Sequence, residues 1–162
     1  MSWFSRRSFL LSVFALSGCG FEPVYRDGGS GSGLRGAILA DNPTNRRAFS
    51  FVEQFEKRVG RAPAPRFAMS YTILVEETGL AITGSNDITR FNLVGRTDFR
   101  VKDLSTGEVV LNDRVNGFTA YSASEQPVAT LSSQEDAEAR LMVILADKIV
   151  AKLLANSGRF SS

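Results

Sequence analysis

The sequence predicts an α+β domain: one four-stranded mixed sheet with two helices packed on one of its faces. Two long segments carry apolar residues at helical spacing, and four segments alternate or cluster apolar residues as strands do. In chain order they read strand, helix, strand, strand, strand, helix, an arrangement typical of a sheet layered with helices. With 162 residues, of which 43% are hydrophobic, the chain is long enough for one domain core.

The first strand and the first helix are predicted near the start of this domain. Residues 34–40 form a short apolar segment, and Asn42 or Thr44 is suited to cap a helix with Pro43 in its first turn. Gly60 is a typical helix end. The apolar side of the predicted helix consists of Ala48, Phe51, Val52, Phe55 and Val59.

Three strands are predicted next, over residues 67–78, 88–103 and 108–121. In the second of these, apolar residues alternate with charged ones, which indicates one buried and one solvated face. Asp113 and Gly117 interrupt the apolar side of the last strand. The interruption is compatible with a β-bulge or with a change of exposed face.

The last helix has the strongest periodicity in the chain. Ser132 and Glu135 have the spacing of a capping box at its start, and residues 156–158 are suited to end it. Asp136 and Arg140 are spaced as a favourable ion pair. An apolar stripe at i, i+4 spacing comprises Ala137, Leu141, Leu145, Ile149 and Leu153.

The N-terminus predicts export from the cytoplasm. Arg6 and Arg7 precede a short apolar run and small residues, so 1–18 reads as a signal peptide that is removed. Residues 16–19, Leu-Ser-Gly-Cys, resemble the lipobox of bacterial lipoproteins. That resemblance implies a covalent N-acyl and S-diacylglycerol lipid on Cys19 and no other cofactor. The twin-arginine route and the general export route both remain open.

Removal of this signal changes the charge of the chain. The basic residues fall from 19 to 17, which equals the 17 acidic residues, so no nucleic-acid partner is predicted. Two or three acyl chains on one residue hold a protein durably on a membrane. By resemblance to lipoproteins of Gram-negative bacteria, Gly20 after the cysteine implies the outer membrane, on its periplasmic side.

The remaining boundaries and exclusions follow from composition. We expect a lipidated N-terminus and flexible Gly/Ser-rich tether over 19–33, one domain over 34–158 and a tail over 159–162. The chain has no histidine and one cysteine, which excludes a Ser-His-Asp triad and zinc or iron-sulfur clusters of the usual kind. The glycine pattern over 31–36 lacks the strand and helix of a dinucleotide site.

An ordered set of segments resembles the LptE family of lipopolysaccharide-assembly lipoproteins in its alphaproteobacterial form. The segments are Cys19–Tyr25, Ile88–Arg90, Leu104–Val110, Phe118–Ser122, Asp136–Leu141 and Leu145–Ile149. The resemblance implies a four-stranded sheet packed by two helices. No enzymatic activity is predicted, because the sequence lacks histidine and a catalytic set, as a plug or chaperone would. The resemblance also implies a partner, the outer-membrane β-barrel LptD, which the lipoprotein plugs and helps to assemble while lipopolysaccharide is inserted into the outer leaflet.

Cations on the two predicted hairpin strands are the candidate contacts for lipopolysaccharide phosphates, because arginine presents a planar fork suited to phosphate. They are Arg90, Arg96, Arg100, Lys102 and Arg114. The alternative is an ordinary solvated sheet face with carboxylate partners at Asp98 and Asp113. Phe118 and Tyr121 are candidate partner contacts, with packing in the core or at its rim as the alternative.

Two other functions remain open at this stage. A periplasmic lipid-binding lipoprotein without a barrel partner would have the same anchor. A hydrolase built on serine or aspartate is disfavoured, because the sequence lacks histidine and a G-x-S-x-G motif.

Overall fold

The computed structural model describes residues 32–82, 88–124 and 126–160, which form one mixed sheet and two helices. The elements in chain order are β1 (Ile38–Ala40), α1 (Arg46–Val59), β2 (Phe67–Ile82), β3 (Ile88–Asp103), β4 (Val109–Ser122) and α2 (Pro127–Ala155). The sheet order is β1-β2-β3-β4, with β1 parallel to β2 and the other neighbours antiparallel. The predicted fold class and element order are confirmed.

Helix α1 buries the side that the sequence predicts but begins later than expected. Its cap is Asn45, not Asn42 or Thr44, because the Asn45 side chain accepts a 2.9 Å hydrogen bond from the Ala48 amide. Gly60 ends the helix with φ of 87°, a conformation that favours glycine. All five predicted apolar positions of this helix are buried.

Helix α2 begins five residues before the predicted capping box. It starts at Pro127, whose ring suits the first helical position, and Ser132 therefore lies within the helix and not at its cap. Thr130 ties the preceding loop by accepting a 2.9 Å hydrogen bond from the Ser124 amide. The predicted stripe from Ala137 to Leu153 is buried, and Asn156 caps the end as expected.

The strands differ from the prediction in three main respects. Residues 32–34 form a 3-10 turn, so β1 is only three residues long. Strand β2 continues past Gly79 to Ile82 through two register shifts. Pairing of β3 with β4 runs without a shift through Asp113 and Gly117, so neither residue marks a bulge or a change of face.

Gly117 has a packing role instead. It pairs with Gly95 across β3 and β4, and α2 crosses close above this pair. A Cβ atom at Gly95 would lie 3.0 Å from side-chain carbons of Leu141 and Leu145, and one at Gly117 would lie 3.0 Å from Ile144. The two glycines therefore let the helix approach the sheet.

The core lies between this sheet face and the two helices. It includes the buried apolar residues of both helices together with Phe67, Met69, Phe99 and Val101 of the sheet. Phe160 is also buried and packs edge-to-face on Phe67 at 5.1 Å between ring centroids, so the folded part extends beyond the predicted end at 158. No helix within the described ranges has the length and apolar character that crossing a membrane requires.

Candidate functional site

The face of the sheet opposite the helices carries the predicted cations. In β3, Leu93, Phe99 and Val101 are buried toward the helices, and the residues between them point outward. Arg96 and Arg100 are exposed on this outer face. The alternation predicted for this strand is confirmed, and we call this surface the outer face.

An apolar patch occupies one part of the outer face. Val94 of β3 is 42% exposed and pairs directly with Phe118 of β4, which is 71% exposed. Leu74 of β2, 45% exposed, pairs with Arg96, which is two residues along β3 from Val94 and on the same face. Large apolar side chains this exposed, and adjacent on a regular sheet, are typical of contact surfaces.

A row of cations adjoins the apolar patch. Along β3, the outward positions after Val94 are Arg96, Asp98, Arg100 and Lys102. We call Arg96, Arg100, Lys102 and the neighbouring Arg114 of β4 the basic row.

Asp98 neutralises one half of the basic row. Its carboxylate lies 3.6 Å from Arg96 and accepts a hydrogen bond from Arg114. Within the described residues, Arg100 and Lys102 have no carboxylate partner. The site therefore combines a paired half with two cations that are available to an external anion.

Arg90 does not join this row. It pairs with Ser122 near the far end of β4 and lines a cleft with Ser133, Asp136 and Arg140. Arg140 donates to the Ala120 carbonyl at this edge of the sheet. The structure thus brings four of the five predicted cations together and places the fifth at a separate site.

Asp113 lies on the opposite face from the one that the solvated-face alternative requires. It is directed toward α2, where its carboxylate pairs with Lys152. The hydrogen bond from Lys152 holds the pKa of Asp113 below its ordinary value. Of the two carboxylates expected to partner the cations, only Asp98 does so.

The two predicted aromatic contacts have different environments. Phe118 projects from the apolar patch, whereas Tyr121 is 7% exposed and stacks on Phe91 with 5.2 Å between centroids. Burial and the nearby Glu77 carboxylate raise the pKa of the Tyr121 phenol. Tyr121 is therefore a core residue, as the alternative interpretation had it, and Phe118 is the aromatic available at the surface.

A groove of about 630 Å³ lies between the start of α1 and β2. Its lining includes Tyr71 and Ile73 but also Arg47 and Glu138, which pair with each other. Charged lining of this kind is poorly suited to an acyl chain, since ligand pockets for apolar groups are mostly apolar.

Sequence reasoning missed two residues of the apolar patch, Leu74 and Val94. The available signal was the strand period, because Val94 has the same parity as Arg96 and Leu74 the same parity as Thr72. Apolar residues on the otherwise polar side of a strand indicate an apolar patch on the exposed face. Their adjacency to Phe118 depends on the register between the strands.

Cys19, the signal peptide over 1–18 and nearly all of the predicted tether lie outside the described residues. Lipid attachment at Cys19 accordingly stays a prediction from the sequence.

Comparison with solved structures finds the same fold in bacterial lipoproteins. A lipoprotein from Caulobacter crescentus aligns with a TM-score of 0.65 and 24% identity over 80% of this chain and 96% of its own. Rare lipoprotein B from Shewanella oneidensis aligns with a TM-score of 0.58 and 12% identity over 78% and 98%. A minor lipoprotein from Acinetobacter baumannii aligns with a TM-score of 0.53 and 14% identity over 74% and 90%.

At these identities the likeness to solved structures is one of fold. Comparison with the sequences of curated proteins gives no match. The model of the LptE family, described as lipopolysaccharide-assembly, matches residues 38–153, which include both helices almost completely and all four strands. The chain therefore belongs to the LptE family of bacterial lipoproteins, which are lipopolysaccharide-assembly factors and not enzymes.

Proposed function

We propose that this protein is an outer-membrane lipoprotein, anchored on the periplasmic side through lipid on Cys19, that plugs and helps to assemble the LptD β-barrel. In that complex it takes part in inserting lipopolysaccharide into the outer leaflet. The observation that carries the proposal is the outer face, where a patch of exposed apolar side chains adjoins a row of cations on a rigid sheet.

The apolar patch supports contact with a protein partner. Interfaces are enriched in aromatic residues, and the few residues that dominate binding energy lie in the centre of the buried area. Phe118 is the most exposed aromatic ring of this face, with Val94 directly beside it and Leu74 diagonally beyond Val94 on β2. A partner that covers these three side chains removes them from water.

The basic row supports contact with lipopolysaccharide phosphates. Arg100 and Lys102 are two residues apart on the same side of β3, which separates their α-carbons by roughly 7 Å. Each offers hydrogen bonds assisted by its positive charge. A lipid A phosphate seated here would meet two cations without first displacing a carboxylate.

Site-specific photocrosslinking in cells tests the proposed barrel contact. A photoreactive residue at Arg96 or Arg114 is expected to crosslink the chain to a large β-barrel protein. The matched control is Val143, which is 37% exposed on α2, and we expect at least threefold less product there. Recovery of the chain without a barrel under conditions that preserve complexes would instead support a lipid-binding lipoprotein acting alone.

A charge-removal pair tests the lipopolysaccharide contact separately. The double variant Arg100→Gln and Lys102→Gln should weaken binding of purified lipopolysaccharide at least tenfold, since hydrogen bonds to charged groups contribute about 1.5–3 kcal/mol each. The control variant Arg46→Gln and Lys57→Gln removes the same charge from α1. Equal affinities for the two variants would exclude a specific role for the basic row.

A further inference from the structure

The described chain starts at one end of the domain. Most of the helices and strands also start or finish at that end. The Gly36 amide donates to the Val59 carbonyl at the end of α1, at 2.8 Å. Arg66 donates to the Phe160 carbonyl beyond α2, and its own carbonyl accepts from the Leu104 amide in the β3–β4 turn. The N-terminal segment therefore joins the domain beside the β3–β4 turn and the end of α2.

Six residues lie in or next to the segments that these hydrogen bonds bring together, and we call them the tether end. They are Arg35, Arg61, Arg66, Lys102, Leu104 and Arg159. Arg35 and Arg61 lie where Gly36 and Gly60 come close to each other. Arg159 directly precedes the buried Phe160.

The tether end has more positive than negative charge. Its five cations are accompanied by three carboxylates on the described segments that meet here, Glu56, Asp103 and Glu108. Glu56 is paired with Arg61 at 3.2 Å. Asp103 is 6% exposed, accepts hydrogen bonds from Ser105 and lies 3.6 Å from Arg66.

After this pairing, the charge that faces solvent is mostly basic. Arg35, Lys102 and Arg159 are exposed, with Glu108 as the remaining described carboxylate of the region. Leu104 is 51% exposed at the tip of the β3–β4 turn, among these cations. Exposed cations around a protruding apolar side chain are the pattern of a surface that rests on an anionic membrane.

We propose that, when the domain is outside the barrel, the tether end lies against the anionic phospholipid headgroups of the membrane to which the protein is attached. The proposal rests on the lipid anchor at Cys19 in the proposed function. Ser32 is thirteen positions after Cys19, so an anchor there keeps the start of the domain within about 45 Å of the surface. A tether of this length allows any orientation of the domain, whereas the cations and Leu104 favour contact with the membrane through the tether end.

The length of α2 determines how far the two ends of the domain can lie from the membrane surface. Its 29 residues span about 44 Å, with Val128 at the far end and Leu153 beside Arg35 at the tether end. The surface potential of an anionic membrane decays within about 10 Å at 0.1 M salt. When the tether end lies on the membrane, the far end of α2 is therefore well beyond the reach of this potential.

Fluorescence quenching on vesicles tests this orientation. The lipidated chain is labelled at Leu104→Cys or, as the matched control, at Val128→Cys, which replaces a side chain that is 81% exposed. Cys19 is the only native cysteine, and its thiol is consumed when it carries lipid. Vesicles contain phosphatidylethanolamine with 30% phosphatidylglycerol, a nitroxide on the headgroup and no lipopolysaccharide.

We expect at least threefold more quenching at position 104 than at position 128. This ratio should fall toward one in 0.5 M salt and in vesicles of phosphatidylcholine alone. The variant Arg35→Gln, Arg61→Gln, Arg159→Gln should lose the ratio, while Arg46→Gln, Lys57→Gln, Arg140→Gln, which removes the same charge elsewhere, should keep it. Equal quenching at the two labels, or equal effects of the two variants, would overturn the proposal.

Absence of lipid on Cys19 would give a different experimental result. If Cys19 carries no lipid, the chain without an added cysteine takes up the fluorophore. The labelled mature chain with Cys19→Ser is then mixed with the same vesicles, and the ratio of quenching at positions 104 and 128 decides the proposal without an anchor. Loss of barrel crosslinking with an intact ratio would contradict only the proposed function.

Discussion

Thr97 places a hydroxyl group in the centre of the core. Its side chain is fully buried on β3 toward the helices, and its Oγ1 has no hydrogen-bond partner within the described residues. A buried polar group without a partner costs about 1–3 kcal/mol. Thr97→Val keeps the shape and should raise the free energy of unfolding by about 1 kcal/mol in urea titrations.

Thr119 provides the matched control for this substitution. Its Oγ1 donates a 3.0 Å hydrogen bond to the Ala137 carbonyl. Thr119→Val removes that bond and should lower stability by about 1 kcal/mol. Changes of the same sign in the two variants would contradict the assignment of Thr97 as an unpaired group.

Substitution of Phe118 should affect partner binding without affecting folding. Because 71% of its side chain is exposed, Phe118→Asp should change the free energy of unfolding by no more than about 0.5 kcal/mol. Recovery of the barrel with the tagged lipoprotein should nevertheless fall several-fold. Tyr121→Ala is the contrasting variant and should cost about 3 kcal/mol, because that ring is buried against Phe91. Unchanged recovery with Phe118→Asp would remove the apolar patch from the interface.

At the scale of elements, the approach of α2 to the sheet depends on Gly95 and Gly117. Gly95→Ala introduces a methyl group 3.0 Å from Leu141 and Leu145, and such overpacking costs about 1–3 kcal/mol. Gly158→Ala is the control, because a Cβ there has no neighbour within 4 Å. Denaturant unfolding measures both variants, and equal stabilities would show that the helix shifts without cost.

Three ion pairs join α1 to α2 within the described residues. They are Arg46 with Glu135, Arg47 with Glu138, and Arg58 with Asp147. The hydrogen bond from Arg47 holds the pKa of Glu138 below its ordinary value, and that from Arg58 does the same for Asp147. Both carboxylates are partly exposed, so each pair contributes only about 0.2–1 kcal/mol.

These lowered pKa values predict the direction of the pH dependence. The unfolded chain binds protons more readily than the folded chain, so the contribution to stability is complete above the ordinary carboxylate pKa of about 4. It is lost as pH falls through the lowered folded values. Glu138→Gln should therefore reduce the stability difference between pH 7 and pH 3, measured by urea unfolding, and an unchanged difference would contradict this role.

At the scale of the whole molecule, lipid on Cys19 is predicted to determine where the domain resides. Cys19→Ala removes the lipid acceptor and should abolish incorporation of labelled palmitate. The mature protein should also be lost from the membrane fraction that resists high salt, and an uncleaved precursor should accumulate in its place. Since one acyl chain contributes only marginal binding and two or three hold a protein durably, intermediate retention is not expected. Continued palmitate labelling of the variant would contradict lipidation at Cys19.

Local patterns predicted most of the fold. The five apolar positions of α1 and the stripe from Ala137 to Leu153 are buried as expected, because a helix repeats its buried side every 3.6 residues whatever surrounds it. The alternation in β3 is likewise a property of the strand. Helix starts were less predictable, since several polar residues near each start can serve as a cap, and Asn45 and Gln126 were selected by the loops around them.

The candidate site could be predicted only in part. The order of elements and the cations of β3 followed from residues that are close together in the chain, and lipidation at Cys19 is a prediction of the same kind. The apolar patch, the partners of Asp98 and Asp113, and the separation of Arg90 from the basic row required the tertiary structure. The physical reason is distance along the chain: strand register brings Asp98 to Arg114 over 16 positions, and helix packing brings Arg47 to Glu138 over 91.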